Sequence, residues 1–239
     1  MKTGTANHRH IGIVACSAEG AALCYRTLCL EAPALMGDAW AHPEVSLHGE
    51  SLAEYMRCIE RGDWEGVAEL MLRSADKLAR AGADFLICPD NTIHQAMRYV
   101  RPRSPLAWLH IAEVIASEAD RRGFLKPALL GTKWLVQSDV YPSAYVRPRP
   151  DEREELSRII MDELVCGVFK PDGVRYYQRV IGRLKGEGCD AVVLGCTEIP
   201  LIINDSNSPL PVLDSTRLLA RAALSRALRQ ADSGTLRAR

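Results

Sequence analysis

The 239-residue chain balances 30 lysines and arginines against 30 aspartates and glutamates, and 47% of its residues are hydrophobic. A net charge of zero gives no electrostatic reason to expect nucleic acid or an anionic membrane as a partner, and no apolar run approaches the ~18 residues a membrane-spanning helix needs. Residues 1–9 lack the apolar stretch of a secretion signal, and the eight cysteines show neither Cys-x-x-Cys spacing nor a compact framework, so reduced thiols and a cytoplasmic location are expected.

Residues 10–15 (HIGIVA) read as a first strand, and the turn at 16–20 leads into a helix over about 21–30. Ser17 at that turn either caps the helix or, with the unpaired N–H groups of the helix start, binds an anion such as a carboxylate. Pro33, Gly37, Pro43 and Gly49 make 31–50 a loop around a short strand near 45–47. Helices are expected at 51–61 and 64–81. The second carries Val67, Leu70, Met71, Ala75 and Leu78 at helical spacing, with Gly82 as its stop.

From Gly82 the chain reads Gly-Ala-Asp-Phe-Leu-Ile-Cys-Pro-Asp-Asn-Thr, and from Gly188 it reads Gly-Cys-Asp-Ala-Val-Val-Leu-Gly-Cys-Thr-Glu. Both copies open Gly-x-Asp, run through a buried-type strand and end in polar groups. Counting equally from each glycine reaches Asp90 in the first and Cys196 in the second. Between the copies come a helix at 93–100, a proline-rich crossing at 101–105, a helix at 109–122 ending at Gly123, and a strand at 127–131 with Thr132 at its tip. A loop at 141–151, helices at 152–166 and 173–186, the strand after Gly188, a last strand at 210–214 and a helix at 216–229 capped by Ser215 complete the pattern. A polar tail is expected to fray.

Strands alternating with helices imply a parallel α/β architecture. The repeat implies two pseudo-symmetric lobes, each a parallel sheet flanked by helices, with the active site in the cleft between them. Residues 1–104 plus 208–239 form the lobe carrying Asp90, and residues 105–207 form the lobe carrying Cys196. Ligands bind at the carboxyl ends of strands in such sheets, which is where both residues fall. Two proton-transfer groups facing each other across a cleft can act on both faces of one carbon. Asn91, Thr92 and Thr197 can hold a carboxylate there, although the same residue types also serve ordinary turns. Backbone N–H groups after Cys196 are expected to lower its thiol pKa. Cys88 and Cys189 read as packing, and His94 as an orienting residue. No cluster has metal-ligand spacing, and there is no glycine-rich phosphate loop.

These motifs resemble the aspartate/glutamate racemase family, whose relatives include hydantoin racemases, maleate isomerases and arylmalonate decarboxylases. Ile11-Gly-Ile-Val-Ala-Cys-Ser17 resembles its first strand and turn, Asn91-Thr92-x-His94 its first catalytic motif, Leu129-Leu-Gly-Thr132 a substrate turn, and Leu194-Gly-Cys-Thr-Glu-Ile199 its second catalytic motif. The resemblance implies a cofactor-independent enzyme with Cys196 as one catalytic acid/base and Ser17, Asn91, Thr92, Thr132 and Thr197 as substrate-binding residues. Lys170 is the candidate cation for a distal carboxylate. The chain departs from the family at Asp90, where racemases usually carry cysteine.

That departure has a size. An ordinary aspartate titrates some ~4.6 units below a thiol, or roughly 6 kcal/mol. Asp90 carboxylate with Cys196 thiol is then the resting pair, and the reverse state is disfavoured unless burial lifts Asp90. The expected function is amino-acid racemisation or epimerisation by Asp90 and Cys196 on a small carboxylate or amino-acid substrate, in a homodimer. The alternatives are a decarboxylase, isomerase or lyase relying mainly on Cys196, and a carboxylate-binding protein without catalysis.

Overall fold

The computed structural model describes residues 8–229; the expected polar tail and most of the amino-terminal stretch lie outside the described residues. In chain order the elements are β1 (Ile11–Ala15), α1 (Ala18–Met36), β2 (Val45–Gly49), α2 (Leu52–Glu60), α3 (Trp64–Arg80) and β3 (Phe85–Ile87). A 3-10 turn at Thr92–Ala96 follows, then α4 (Met97–Val100), β4 (Trp108–Leu109), α5 (Ile111–Arg122), β5 (Pro127–Leu130) and α6 (Lys133–Val136). After α7 (Pro150–Asp162) and a 3-10 turn at Leu164–Cys166 come α8 (Pro171–Gly186), β6 (Ala191–Leu194), a 3-10 turn at Ile199–Leu201, β7 (Val212–Asp214) and α9 (Ser215–Leu228).

The strands form two sheets, ordered β2-β1-β3-β4 and β5-β6-β7, and every pairing is parallel. The central strands β1, β3 and β6, and β5 at the edge of the second sheet, are buried along their whole length, as strands covered by helices on both faces must be. The repeated Gly-x-Asp is what sets each strand in place. Gly82 and Gly188 leave the preceding helices with φ of +91° and +89°, a backbone conformation that side chains oppose. The aspartates then clamp the neighbouring strand. Asp84 accepts the His10 N–H at 2.6 Å, and Asp190 accepts those of Leu125 at 2.6 Å and Lys126 at 3.0 Å.

Several elements differ from their sequence-based expectation. α1 continues through Pro33 to Met36, because Gly37 in the left-handed conformation closes it with an N–H bond to the Pro33 carbonyl. β4 takes in Leu109, where the expected helix over 109–122 was to begin, and α6 fills a stretch that carried no assignment; each is too short to show a period. Asp214, not Ser215, caps α9, its carboxylate accepting the Arg217 N–H at 3.0 Å. The sheets also divide the chain elsewhere than at 104/105 and 207/208. Trp108–Leu109 pairs with β3 of the first sheet, and Val212–Asp214 pairs with β6 of the second.

The last crossing is consequential. β7 belongs to the second sheet, yet α9 returns to the first lobe, where Leu219, Ala220, Ala223 and Leu224 pack with Ile11 and Ile13 of β1 and Leu28 of α1. α5 bridges the lobes too: Ile111 faces the first-lobe cluster, while Ile115 and Ala119 face Leu129, Ala191 and Val193 of the second. Gly82→Ala and Gly188→Ala should each lower the unfolding free energy by about 1–2 kcal/mol, the strain of a left-handed non-glycine residue. Gly182→Ala, mid-α8 with open space around the added methyl, should instead stabilise by about 0.5–1 kcal/mol. Urea denaturation of the three variants checks both signs.

Candidate active site

Asp90 follows β3 and Cys196 follows β6, and both line one narrow cavity of about 50 Å³ between the lobes. Ser17, Asn91, Thr92, Thr132 and Thr197 line it as well. The two expected proton-transfer residues and five of the six expected substrate-binding residues therefore come together.

On the first-lobe side, Asp90 Oδ1 accepts the Ile93 N–H at 3.2 Å, and the Cys16 thiol at the end of β1 lies against the same carboxyl. Burial, then the nearby charge of Glu198, pushes the Asp90 carboxyl up to about 6; the Ile93 amide and the Cys16 thiol hold it from rising further. Burial was expected to lift this residue, and it does.

On the second-lobe side, the Cys196 thiol donates to Glu198 Oε2 at 2.9 Å, and the Thr197 hydroxyl donates to the same oxygen at 2.7 Å. The expected lowering of the thiol by the following turn is overturned. Burial first, and Glu198 second through its charge and hydrogen bond, push Cys196 well above its usual range, and the Glu198 backbone N–H offsets only part of this. The thiol rises with the aspartate, so burial alone does not bring the two together. Glu198 was the missed residue. Its signal was its place in Leu194-Gly-Cys-Thr-Glu-Ile199, where it is the one carboxylate and stands two residues from the sulfur.

Hydroxyl pairs close the cavity across the lobes. Ser17 Oγ meets Thr197 Oγ1 at 3.2 Å, and Thr92 Oγ1 meets Thr132 Oγ1 at 3.0 Å. Ser17 takes the capping role considered for it, accepting the Gly20 N–H at 3.2 Å at the start of α1, and its hydroxyl also lines the cavity. At Gly20 an added Cβ would strike the Thr197 side chain, so the close approach of the lobes demands glycine. Thr132 likewise caps α6, accepting the Leu135 N–H at 3.3 Å.

Asn91 is engaged at both ends. Its Oδ1 accepts the Tyr141 hydroxyl at 2.7 Å, its Nδ2 donates to Ser215 Oγ at 2.9 Å, and Ser215 in turn donates to the Leu194 carbonyl at 2.8 Å. These bonds tie the Asp90 turn to the end of β6 and use one N–H and one lone pair of the amide. His94 Nε2 donates to the Cys88 carbonyl at 3.1 Å, and burial, then His110, lowers its pKa to about 3. Lys170 does not reach the cavity. It stands at the start of α8, half exposed, with Nζ 3.4 Å from Glu163. His48 is occupied by Ser74 and Lys77.

A model of the Asp/Glu/hydantoin racemase family matches residues 13–223. The broad specificity amino-acid racemase RacX of Bacillus subtilis (strain 168) is 23% identical over 168 residues, covering 68% of this chain and 73% of that protein. Among solved structures, an Asp/Glu racemase candidate from Yersinia pestis superposes with a TM-score of 0.84 at 29% identity, covering 92% of this chain and 100% of that one. An aspartate racemase homologue from Pyrococcus horikoshii OT3 gives 0.77 at 28%, covering 92% and 99%. With its two parallel sheets, the cleft at their strand ends and a match over most of its length, the chain belongs to the Asp/Glu/hydantoin racemase family.

Proposed function

We propose that the protein is a cofactor-independent amino-acid racemase or epimerase in which Asp90 and Cys196 exchange protons with opposite faces of a substrate α-carbon. The supporting observation is that the two residues, one from each lobe, line the same cavity. The hydroxyls of Ser17, Thr92, Thr132 and Thr197, which bond to one another across the cleft, turn to hold the α-carboxylate. Asn91 holds the turn that carries Asp90.

Glu198 removes the difficulty of pairing an acid with a thiol. In one direction Asp90 takes the α-proton, the Cys196 S–H bond breaks to protonate the other face, and Glu198 returns a proton to sulfur along their hydrogen bond. In the other direction the thiol proton passes to Glu198 as sulfur takes the α-proton, and protonated Asp90 delivers its own. Cys196 begins and ends as a thiol in both. The two resting forms differ only in which carboxylate holds one shared proton. Both forms hold that proton on a carboxyl, so neither meets the roughly 6 kcal/mol that separates unperturbed aspartate from thiol. Racemisation has an equilibrium constant of one, and this exchange serves both directions.

The test is deuterium wash-in from heavy water, starting from each enantiomer. Exchange from both is expected; exchange from one only rejects the two-base scheme. Cys196→Ser and Asp90→Asn should each lower kcat/KM by about 10²–10⁴, the usual worth of a positioned proton-transfer group. An Asp90→Asn variant keeping most of its activity would instead favour a decarboxylase, isomerase or lyase that relies on Cys196.

The pH profile separates a shared carboxyl proton from a bare aspartate–thiol pair. The active enzyme carries one proton on the Asp90–Glu198 pair, so kcat/KM should fall as pH rises through about 6, where Asp90 loses its proton, and equally for both enantiomers. A bare pair needs Asp90 ionised and gives the opposite sign, a rise through the same region. Glu198→Gln should lower activity and reverse the slope.

A further inference from the structure

The charged and hydroxyl-bearing side chains of the cavity, with Asn91 and Cys196, come from the turns after β1, β3, β5 and β6. The remaining wall is apolar and aromatic: Leu52, Met56 and Ile59 from α2, Trp134 on α6, Ile160 and Met161 from α7, and Val165 from the turn after α7. Among the described residues, no lysine, arginine or histidine lines the cavity. Cations near these residues in sequence are already paired: Arg57 with Glu54, Lys133 with Glu154 at 3.2 Å, and Lys170 and Arg158 with Glu163 at 3.4 Å and 3.0 Å.

We infer that the substrate is an amino acid whose side chain is apolar, an alkyl, thioether or aryl group seated against this wall, and not a dicarboxylic amino acid. The assignment rests on the function proposed above and names the substrate class of the same site. Two carboxylates, Asp90 and Glu198, already face the cavity without a cation. The α-ammonium of an amino acid supplies positive charge beside them. A second substrate carboxylate would add a further buried charge with no partner, an arrangement proteins avoid. An apolar side chain meets no such penalty and gains by leaving water. Met56 and Met161, unbranched and polarisable, let the wall adjust to side chains of different shape. Because α2 belongs to the first lobe and α7 to the second, closure of the cleft brings the two halves of this wall onto the side chain.

The experiment measures deuterium wash-in and calorimetric binding for both enantiomers of leucine, methionine and phenylalanine, against aspartate and glutamate, near pH 6. The apolar set should exceed aspartate and glutamate by about tenfold or more in both kcat/KM and affinity, within the range a pocket achieves by leaving a group unpaired. Aspartate or glutamate binding as tightly as the apolar set overturns the inference, and their deuterium exchange would leave the racemase reading standing. Apolar amino acids that bind without exchanging support the inference and defeat the racemase reading. Binding by no member of the panel overturns the inference. Met56→Arg, placing a cation in the wall, should shift the preference toward glutamate by at least about tenfold, whereas Met56→Leu should keep the original order. A folded Met56→Arg that leaves the order unchanged counts against contact between α2 and the side chain, and overturns the assignment of this wall.

Discussion

A thiol and a carboxylate 2.9 Å apart in a narrow cleft are the constraint on which this site depends. In bulk solvent a cysteine exchanges its proton with water and needs no neighbour. In a narrow cleft a fixed acceptor serves instead, and in the proposed reaction Glu198 is that acceptor. Its Oε2 also takes the Thr197 hydroxyl, and Thr197 is bonded to Ser17 of the other lobe. The acid/base group of one lobe is thus oriented by a hydrogen-bond chain that begins in the other, and it is complete only when the lobes meet.

The same closeness governs charge. Asp90 is raised by burial and by Glu198, so the two carboxylates sense each other across the site. Coupled groups of this kind share protons as a pair rather than singly. In the proposed mechanism, that coupling lets aspartate stand where a thiol is usual without leaving one direction of proton transfer stranded. It also leaves the cavity rich in negative charge and poor in positive, the electrostatic reason for reading the opposite wall as a hydrocarbon seat.

Much of this was legible in the residues. The repeated Gly-x-Asp located two strands and put Asp90 and Cys196 at equivalent ends, because glycine at positive φ and an aspartate clamping backbone N–H groups are local devices with local signatures. Ser17, Thr92, Thr132 and Thr197 were found for the same reason: each lies in a turn directly after a strand. What could not be read depended on distant parts of the chain. Lys170 looked available until its partner Glu163 was seen. Asn91 looked like a ligand donor until Tyr141 and Ser215 claimed both ends of its amide. Leu52, Met56 and Met161 lie on amphipathic helices, and helical spacing cannot distinguish a side chain facing a core from one facing a substrate. The exchange of β7 and α9 between lobes has no sequence signature, since an apolar strand fits either sheet.

That exchange carries a mechanical meaning. The chain passes between lobes at the β4–α5 junction and again at Asp214–Ser215, where β7 of one lobe becomes α9 of the other. A body pinned at two points can turn only about the line joining them, so the lobes swing like a door rather than parting freely. Ser215 sits at the second pin and holds Asn91, the neighbour of Asp90. Through that bond the Asp90 turn is tied to the line about which the lobes can turn.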